Sequence, residues 1–205
     1  TGGTLQGLRH LYDRGVRMLT LTWNGSNELA DGVLTPHGGG LTRFGQKALR
    51  ECERLGITVD VSHLNDGGFW DVMRLTTGPI AATHSNSRAL CDVPRNLTDE
   101  QLRAIRDTGG VVGVNVSHDF VHKEPRQQTA AMLARHAAHM AEVMGPEHVA
   151  CGFDFCEYFG PGYEGCEGME DCGQAQNFFF ELERIGFSEA ERQAIASENL
   201  LRVLK

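Results

Sequence analysis

Apolar residues first recur at helical spacing, with Leu5, Leu8, Leu11 and Tyr12 on one face of a helix over residues 4–13. The period then changes. Val16 to Thr22 is apolar and β-rich and predicts a strand. The same alternation runs to the end of the chain. Thr42 caps a helix whose inward face is Phe44, Ala48, Leu49, Cys52 and Leu55; Gly56 ends it, and strand 57–62 follows. Asp66 caps a helix to Leu75, after which Gly78-Pro79 opens strand 79–83. A loop carries Ser85 to Asn96. Thr98 and Gln101 form a capping box for a helix over 99–107, and Gly109-Gly110 leads into strand 111–116. A long helix over 126–144, a strand over 148–154 and a Gly/Cys/Glu-rich loop to about Gly173 come next. Helices near 174–185 and 189–204 close the chain, the second capped by Ser188 and Glu191.

Five strand–helix units with no hairpin signal predict a parallel sheet covered on both faces. Five units fall short of a closed eight-stranded barrel, which takes about 250 residues. A doubly wound sheet is the competing fold, but no Gly-x-Gly-x-x-Gly turn directly joins a strand to a helix. With no repeat and no low-complexity linker, residues 1–205 read as a single domain.

Composition changes this picture little. The 205 residues are 40% hydrophobic and 22% charged, enough for one sizeable core. The net charge of −8, without a basic run, argues against a nucleic-acid partner. No apolar run approaches the roughly 20 residues that span a bilayer. Six cysteines, none in a Cys-x-x-Cys pair, read as free thiols of a cytoplasmic protein; a Cys166–Cys172 bridge is the alternative. The chain opens at Thr1 almost directly into a helix, so we expect it to be incomplete at its N-terminus.

The chemistry sits at strand ends. Ile57 to His63 and Pro79 to His84 are apolar runs that each finish in a histidine, and His148 to Asp154 finishes in an aspartate. Parallel strands bring such ends to one rim, where barrels keep their catalytic groups. Neutral imidazoles suit zinc, and hydrolysis of an unactivated amide needs the nucleophile and charge stabilisation a metal supplies. His63 and His84 are the candidate metal ligands. Asp154 is the candidate general base, because a carboxylate ending an apolar strand needs a partner. Arg95, in the loop after His84, can grip a carboxylate with two parallel hydrogen bonds. His118 follows a strand end and is a candidate for the pocket wall. Asp60, inside a strand, reads as a supporting partner or a buried structural group. His136 and His139 lie on a helix expected outside the fold and read as surface residues. No Gly-x-Ser-x-Gly elbow is present, which argues against a serine hydrolase.

These residues sit in stretches that together resemble the membrane (renal-type) dipeptidase family, peptidase family M19, in its bacterial branch. The stretches include Gly15 to Thr22, Asn27 to Gly32, Gly40 to Gly45, Asp60-Val61-Ser62-His63 and Thr83-His84-Ser85-Asn86-Ser87. Arg95-Asn96-Leu97, Gly152-Phe153-Asp154-Phe155 and Asn199 to Val203 complete the set. The resemblance implies a (β/α)8 barrel of the TIM type with two zinc ions. It implies hydrolysis of dipeptides, often with a D-residue at the C-terminal position. By resemblance, His63 and His84 hold the second zinc, Asp154 lies near the first, and Arg95 binds the substrate carboxylate. The family's His-x-Asp pair and bridging glutamate have no counterpart here. The visible strands then correspond to the family's fourth to eighth, and the chain alone is expected to be inactive or nearly so. Trp23 stands where many members carry a histidine, which points to altered substrate handling and places Trp23 at the pocket. A non-catalytic metal- or peptide-binding fragment and another metal-dependent barrel amidohydrolase or lactonase are the alternatives. Open sheet edges lead us to expect pairing with another chain, including a second copy.

Overall fold

A computed structural model describes residues 2–35 and 38–204. Among the described residues five strands form one sheet: β1 (Met18–Thr20), β2 (Thr58–Asp60), β3 (Ala81–Ala82), β4 (Val111–Val114) and β5 (Val149–Cys151). They lie side by side in chain order and all pairs are parallel. A doubly wound sheet reverses its order at a switch point; this one does not, which is the order found in a barrel. Among the described residues β1 and β5 are the sheet's two outer strands.

The helices are α1 (Leu5–Asp13), α2 (Arg43–Leu55), α3 (Asp66–Leu75), α4 (Asp99–Asp107), α5 (His118–Val121), α6 (Ala130–Met144), α7 (Gln176–Arg184), α8 (Glu189–Gln193) and α9 (Asn199–Val203). Their ends follow local chemistry. Thr42 accepts from the Gly45 amide, and Gly56 closes α2 at φ 75°, a left-handed turn that suits glycine. Thr98 and Gln101 make both halves of their capping box, as do Ser188 and Glu191. Three boundaries differ from expectation. Asn65, not Asp66, caps α3, because its side chain reaches the Gly68 amide while Asp66 pairs with Arg88. The helix expected from residue 126 starts at Ala130 under a Thr129 cap, after a separate turn at Pro125–Gln127. The last helix is broken into α8 and α9 by a wide π turn at Ala194–Glu198. The strands are shorter than their apolar runs, since the chain leaves the ladder for the rim before the apolar residues stop.

The sheet's core face and the helices share a buried cluster that includes Val59, Phe69, Leu102, Leu133, Met140 and Phe178. Two glycines shape the rim above it. A methyl group on Gly113 or Gly152 would collide with the Thr83 carbonyl oxygen. Their bareness lets the end of β3 lean across β4 toward β5, which curls the sheet and draws the two strand ends together. Asn199 ties α9 to the same sheet by donating to the Val149 and Pro146 carbonyls. No helix among the described residues is long and apolar enough to cross a membrane.

His136 and His139 are not surface residues. His136 is 0% exposed on the core side of α6, beside Leu133, Ala137 and Met140. Its burial is tolerable because both ring nitrogens are used. Nδ1 accepts the Ser87 amide, and Nε2–H donates to the Val121 carbonyl. His139 is half-buried and bonds Asp99 at 2.8 Å. Burial pushes the His136 pKa down from 6.5 to about 4. The unfolded chain therefore takes up a proton that the folded chain refuses. The folded state is fully favoured above pH 6.5 and loses stability as the pH falls toward about 4, by on the order of 3 kcal/mol. Urea unfolding between pH 7 and 4 is expected to show this loss. His136→Gln should flatten that part of the profile, and an unchanged slope would contradict the assignment.

Candidate active site

Asp60 is the first support of the site. It ends β2 and is 1% exposed. Its two oxygens accept from four donors: the Thr20 and Thr83 hydroxyls at 2.6 and 2.7 Å, and the Ser62 and Thr83 amides, both at 2.9 Å. Each hydroxyl has one hydrogen, and Thr83 spends its own on Asp60. The 2.6 Å contact between Thr83 Oγ1 and His84 Nδ1 must then run the other way, from Nδ1–H to the hydroxyl oxygen. His63 is fixed in the same sense, with Nδ1 at 2.8 Å from the acceptor Oδ1 of Asn24.

With both Nδ1 atoms protonated, a neutral ring carries its lone pair on Nε2. Burial pushes the His63 pKa down to about 3, helped by the Arg95 charge, and burial also lowers His84. The two Nε2 atoms face each other at 2.8 Å. Two lone pairs at that distance repel unless an electrophile stands between them. This donor set fits a divalent cation that accepts nitrogen ligands. His63 adopts φ 71°, and among the described residues the other non-glycine residue with positive φ is Asp154 at φ 60°. For ordinary side chains that conformation is strained, and such strain gathers at working sites.

Arg95 was expected in a loop, and it is 8% exposed. Its guanidinium lies 5.2 Å above the Phe120 ring, and one nitrogen is 3.4 Å from both the His84 carbonyl and His63 Nε2. Among the described residues no carboxylate pairs with it. Burial pushes its pKa down to about 10, although Asp154 and Asp60 act in the opposite direction. The loop that carries it is held by buried amides. Asn86 bonds the Asn115 and Phe120 carbonyls, and Asn96 bonds those of Cys91 and Phe120.

Asp154 follows β5 by three residues and is exposed, so the expected desolvated carboxylate is not found. Its Oδ2 accepts from Asn115 Nδ2 at 3.2 Å. A cavity of about 460 Å³ is lined by His63, Arg95, Asp154, Trp23 and His118. The structure thus brings five of the predicted residues to this cavity, while His84 lines a neighbouring one with Asp154 and meets His63 at the boundary; only the two imidazoles are paired. Among the described residues no group of three or more His, Cys, Asp or Glu is arranged to hold a metal. The six cysteines are free; Cys166 is buried and Cys172 exposed. Asn24, Thr83, Asn115 and Phe120 were missed by sequence reasoning. Only Thr83 carried a signal, as the polar residue directly before His84.

The fold and rim define a parallel α/β barrel-type protein with imidazoles at its strand ends. The sequence pattern described as Membrane dipeptidase (Peptidase family M19) matches residues 2–205, and the chain belongs to that family of metallopeptidases. It is 37% identical to an uncharacterised protein in the pqqA 5′ region of Klebsiella pneumoniae, over 97% of this chain and 74% of that protein. It is 33% identical to an uncharacterised dipeptidase of Schizosaccharomyces pombe, over 97% of this chain. It spans 48% of the yeast protein, about half its length. A metallo peptidase from Rhodobacter sphaeroides, solved with a phosphinate mimic of the dipeptide L-Ala-D-Ala, superposes with a TM-score of 0.88 at 31% identity. The match covers 98% of this chain and 59% of that one. The fold is therefore part of an α/β barrel.

Nitrogen NMR of the imidazoles is expected to show His63 and His84 as Nδ1–H tautomers at neutral pH. Thr83→Val should release His84 to a tautomer mixture and leave His63 unchanged. Nε2–H rings in the unsubstituted protein would contradict the proton count.

Proposed function

We propose that this chain carries the two-histidine and carboxylate-binding portion of a zinc-dependent dipeptidase. The supporting observation is the buried guanidinium of Arg95, paired with no carboxylate among the described residues, beside two imidazoles whose Nε2 atoms face each other at 2.8 Å. A cation kept dry with no carboxylate partner is suited to an anionic ligand. His63 and His84 would hold zinc through Nε2. When bound, zinc supplies electrophilic polarisation of the scissile carbonyl.

This chain's own residues do the rest. Arg95 grips the α-carboxylate of the substrate and so sets which peptide bond lies at the rim. Asp154 keeps Oδ2 on Asn115 and turns Oδ1 to the reaction. Oδ1 takes a proton from the attacking water and returns it to the leaving amine. The Rhodobacter ligand mimics a dipeptide ending in D-Ala, which supports acceptance of a C-terminal D-residue here. Catalytic zinc sites use three protein ligands. Two imidazoles with no third ligand grouped beside them among the described residues support a second reading, in which this chain binds metal and peptide but hydrolyses little by itself. The free thiols support a reducing, cytoplasmic setting. The outer strands β1 and β5 support association of copies through their edges.

Zinc titration against a chromophoric chelator should show one site, weakened at least about 100-fold by His63→Ala. Arg95→Ala should weaken L-Ala-D-Ala binding about 10- to 100-fold and leave zinc affinity unchanged. Zinc binding indifferent to His63→Ala would contradict the reading. Hydrolysis of L-Ala-D-Ala at ordinary enzymatic rates would exclude the binding-only version. Light scattering is expected to find species larger than one chain, and a clean monomer would contradict edge pairing.

A further inference from the structure

Among the described residues eight large hydrophobic side chains are exposed, and four of them line one cavity: Trp23 at 73%, Tyr158 at 73%, Phe159 at 64% and Tyr163 at 57%. It is the cavity that also holds His63, Arg95 and Asp154. Scattered exposed apolar residues need no explanation, but a cluster at a site does. Three of the rings form a wall. Tyr158 and Phe159 have centroids 4.5 Å apart, and Phe159 and Tyr163 are 5.5 Å apart. Trp23 stands apart from them, with its ring 6.2 Å from that of His63.

The wall does not serve the core. Phe153 and Phe155, from the same segment, pack against the buried cluster, whereas Tyr158, Phe159 and Tyr163 do not. Gly160 and Gly162 have φ of 107° and 92°, which lets the chain turn back so that Tyr163 reaches Phe159. The segment begins at Asp154, and Cys156 Sγ lies 3.8 Å from its Oδ1. The wall is thus reached from the carboxylate side of the cavity, while Arg95 is seated on Phe120.

We propose that Tyr158, Phe159 and Tyr163 form a specificity subsite for a large apolar or aromatic side chain on the N-terminal residue of a dipeptide. This rests on the dipeptide reading above and adds a substrate class to it. With Arg95 on the C-terminal carboxylate, the N-terminal residue extends toward the Asp154 side. Its free ammonium meets the carboxylates of Asp119 and Glu164, which line the same cavity. Its side chain lies against the rings, and both surfaces leave water.

The test is equilibrium binding by calorimetry to the zinc-loaded chain, with Phe-Ala, Ala-Phe, Lys-Ala and Ala-Ala as probes. Phe-Ala should bind at least about 10-fold tighter than Ala-Ala, a margin typical of a filled apolar pocket. The double substitution Tyr158→Ala with Phe159→Ala should bring the two within about 2-fold, and Tyr158→Leu should keep most of the gain. Both positions are exposed, so folding is not at stake; circular dichroism checks this. A Phe-Ala preference that survives the double substitution overturns the subsite, as does equal binding of Phe-Ala and Ala-Ala. A gain shown by Ala-Phe instead, or an equal gain by Lys-Ala, also overturns it. In all these cases the dipeptide reading stands. If no dipeptide binds while zinc does, the dipeptide reading itself fails.

Discussion

Two unprotonated nitrogens held face to face are the constraint around which this molecule is organised. His63 and His84 come from successive strand ends, and nothing about either alone would bring the Nε2 atoms to 2.8 Å. The pairing of neighbouring strands β2 and β3 does so, and the His84 amide donates to the hydroxyl of Ser62, directly before His63. The tautomers are then set from behind. Asp60 takes the Thr83 hydrogen, Thr83 takes the His84 Nδ1 hydrogen, and Asn24 takes that of His63. Folding thus places two ring lone pairs against each other, and the left-handed backbone at His63 is part of holding them there.

The second constraint is a buried cation that no carboxylate among the described residues pairs with. Arg95 sits over Phe120 on a loop pinned by Asn86 and Asn96, whose side chains are 0% exposed. That loop reaches the imidazoles through the guanidinium and reaches α6 through His136, which bonds the Ser87 amide. The helix layer, the loop and the rim therefore act as one support. An arginine held this way is oriented before any anion arrives, so little ordering is left for binding to impose.

Much of this was legible in the sequence because it rests on local rules. The Thr98–Gln101 box, the Gly56 stop and the strand–helix alternation depend on neighbours within a few residues, and the structure keeps them. The strand-end histidines were legible because a parallel sheet leaves few places for its ends to point. What failed depends on distant partners. His136 looks like a surface histidine until Ser87 and Val121 are known to meet its two nitrogens. Asn24 lies 39 residues from His63 in the chain, and no spacing rule connects them. Asp154 read as desolvated because the run before it is apolar, but the chain has left the sheet by that point and the carboxylate is exposed. The cap at Asn65 rather than Asp66 is a smaller case, decided by which side chain reaches Gly68.

X-ray absorption at the zinc edge on the zinc-loaded chain is the most direct check on the facing imidazoles. Two nitrogen scatterers at about 2.0–2.1 Å with the outer-shell signature of imidazole rings are expected, and both should be lost in a His63→Ala, His84→Ala protein. A first shell of sulfur at about 2.3 Å, or an imidazole signature that survives the double substitution, would show that the metal binds elsewhere and that the two rings do not share a cation.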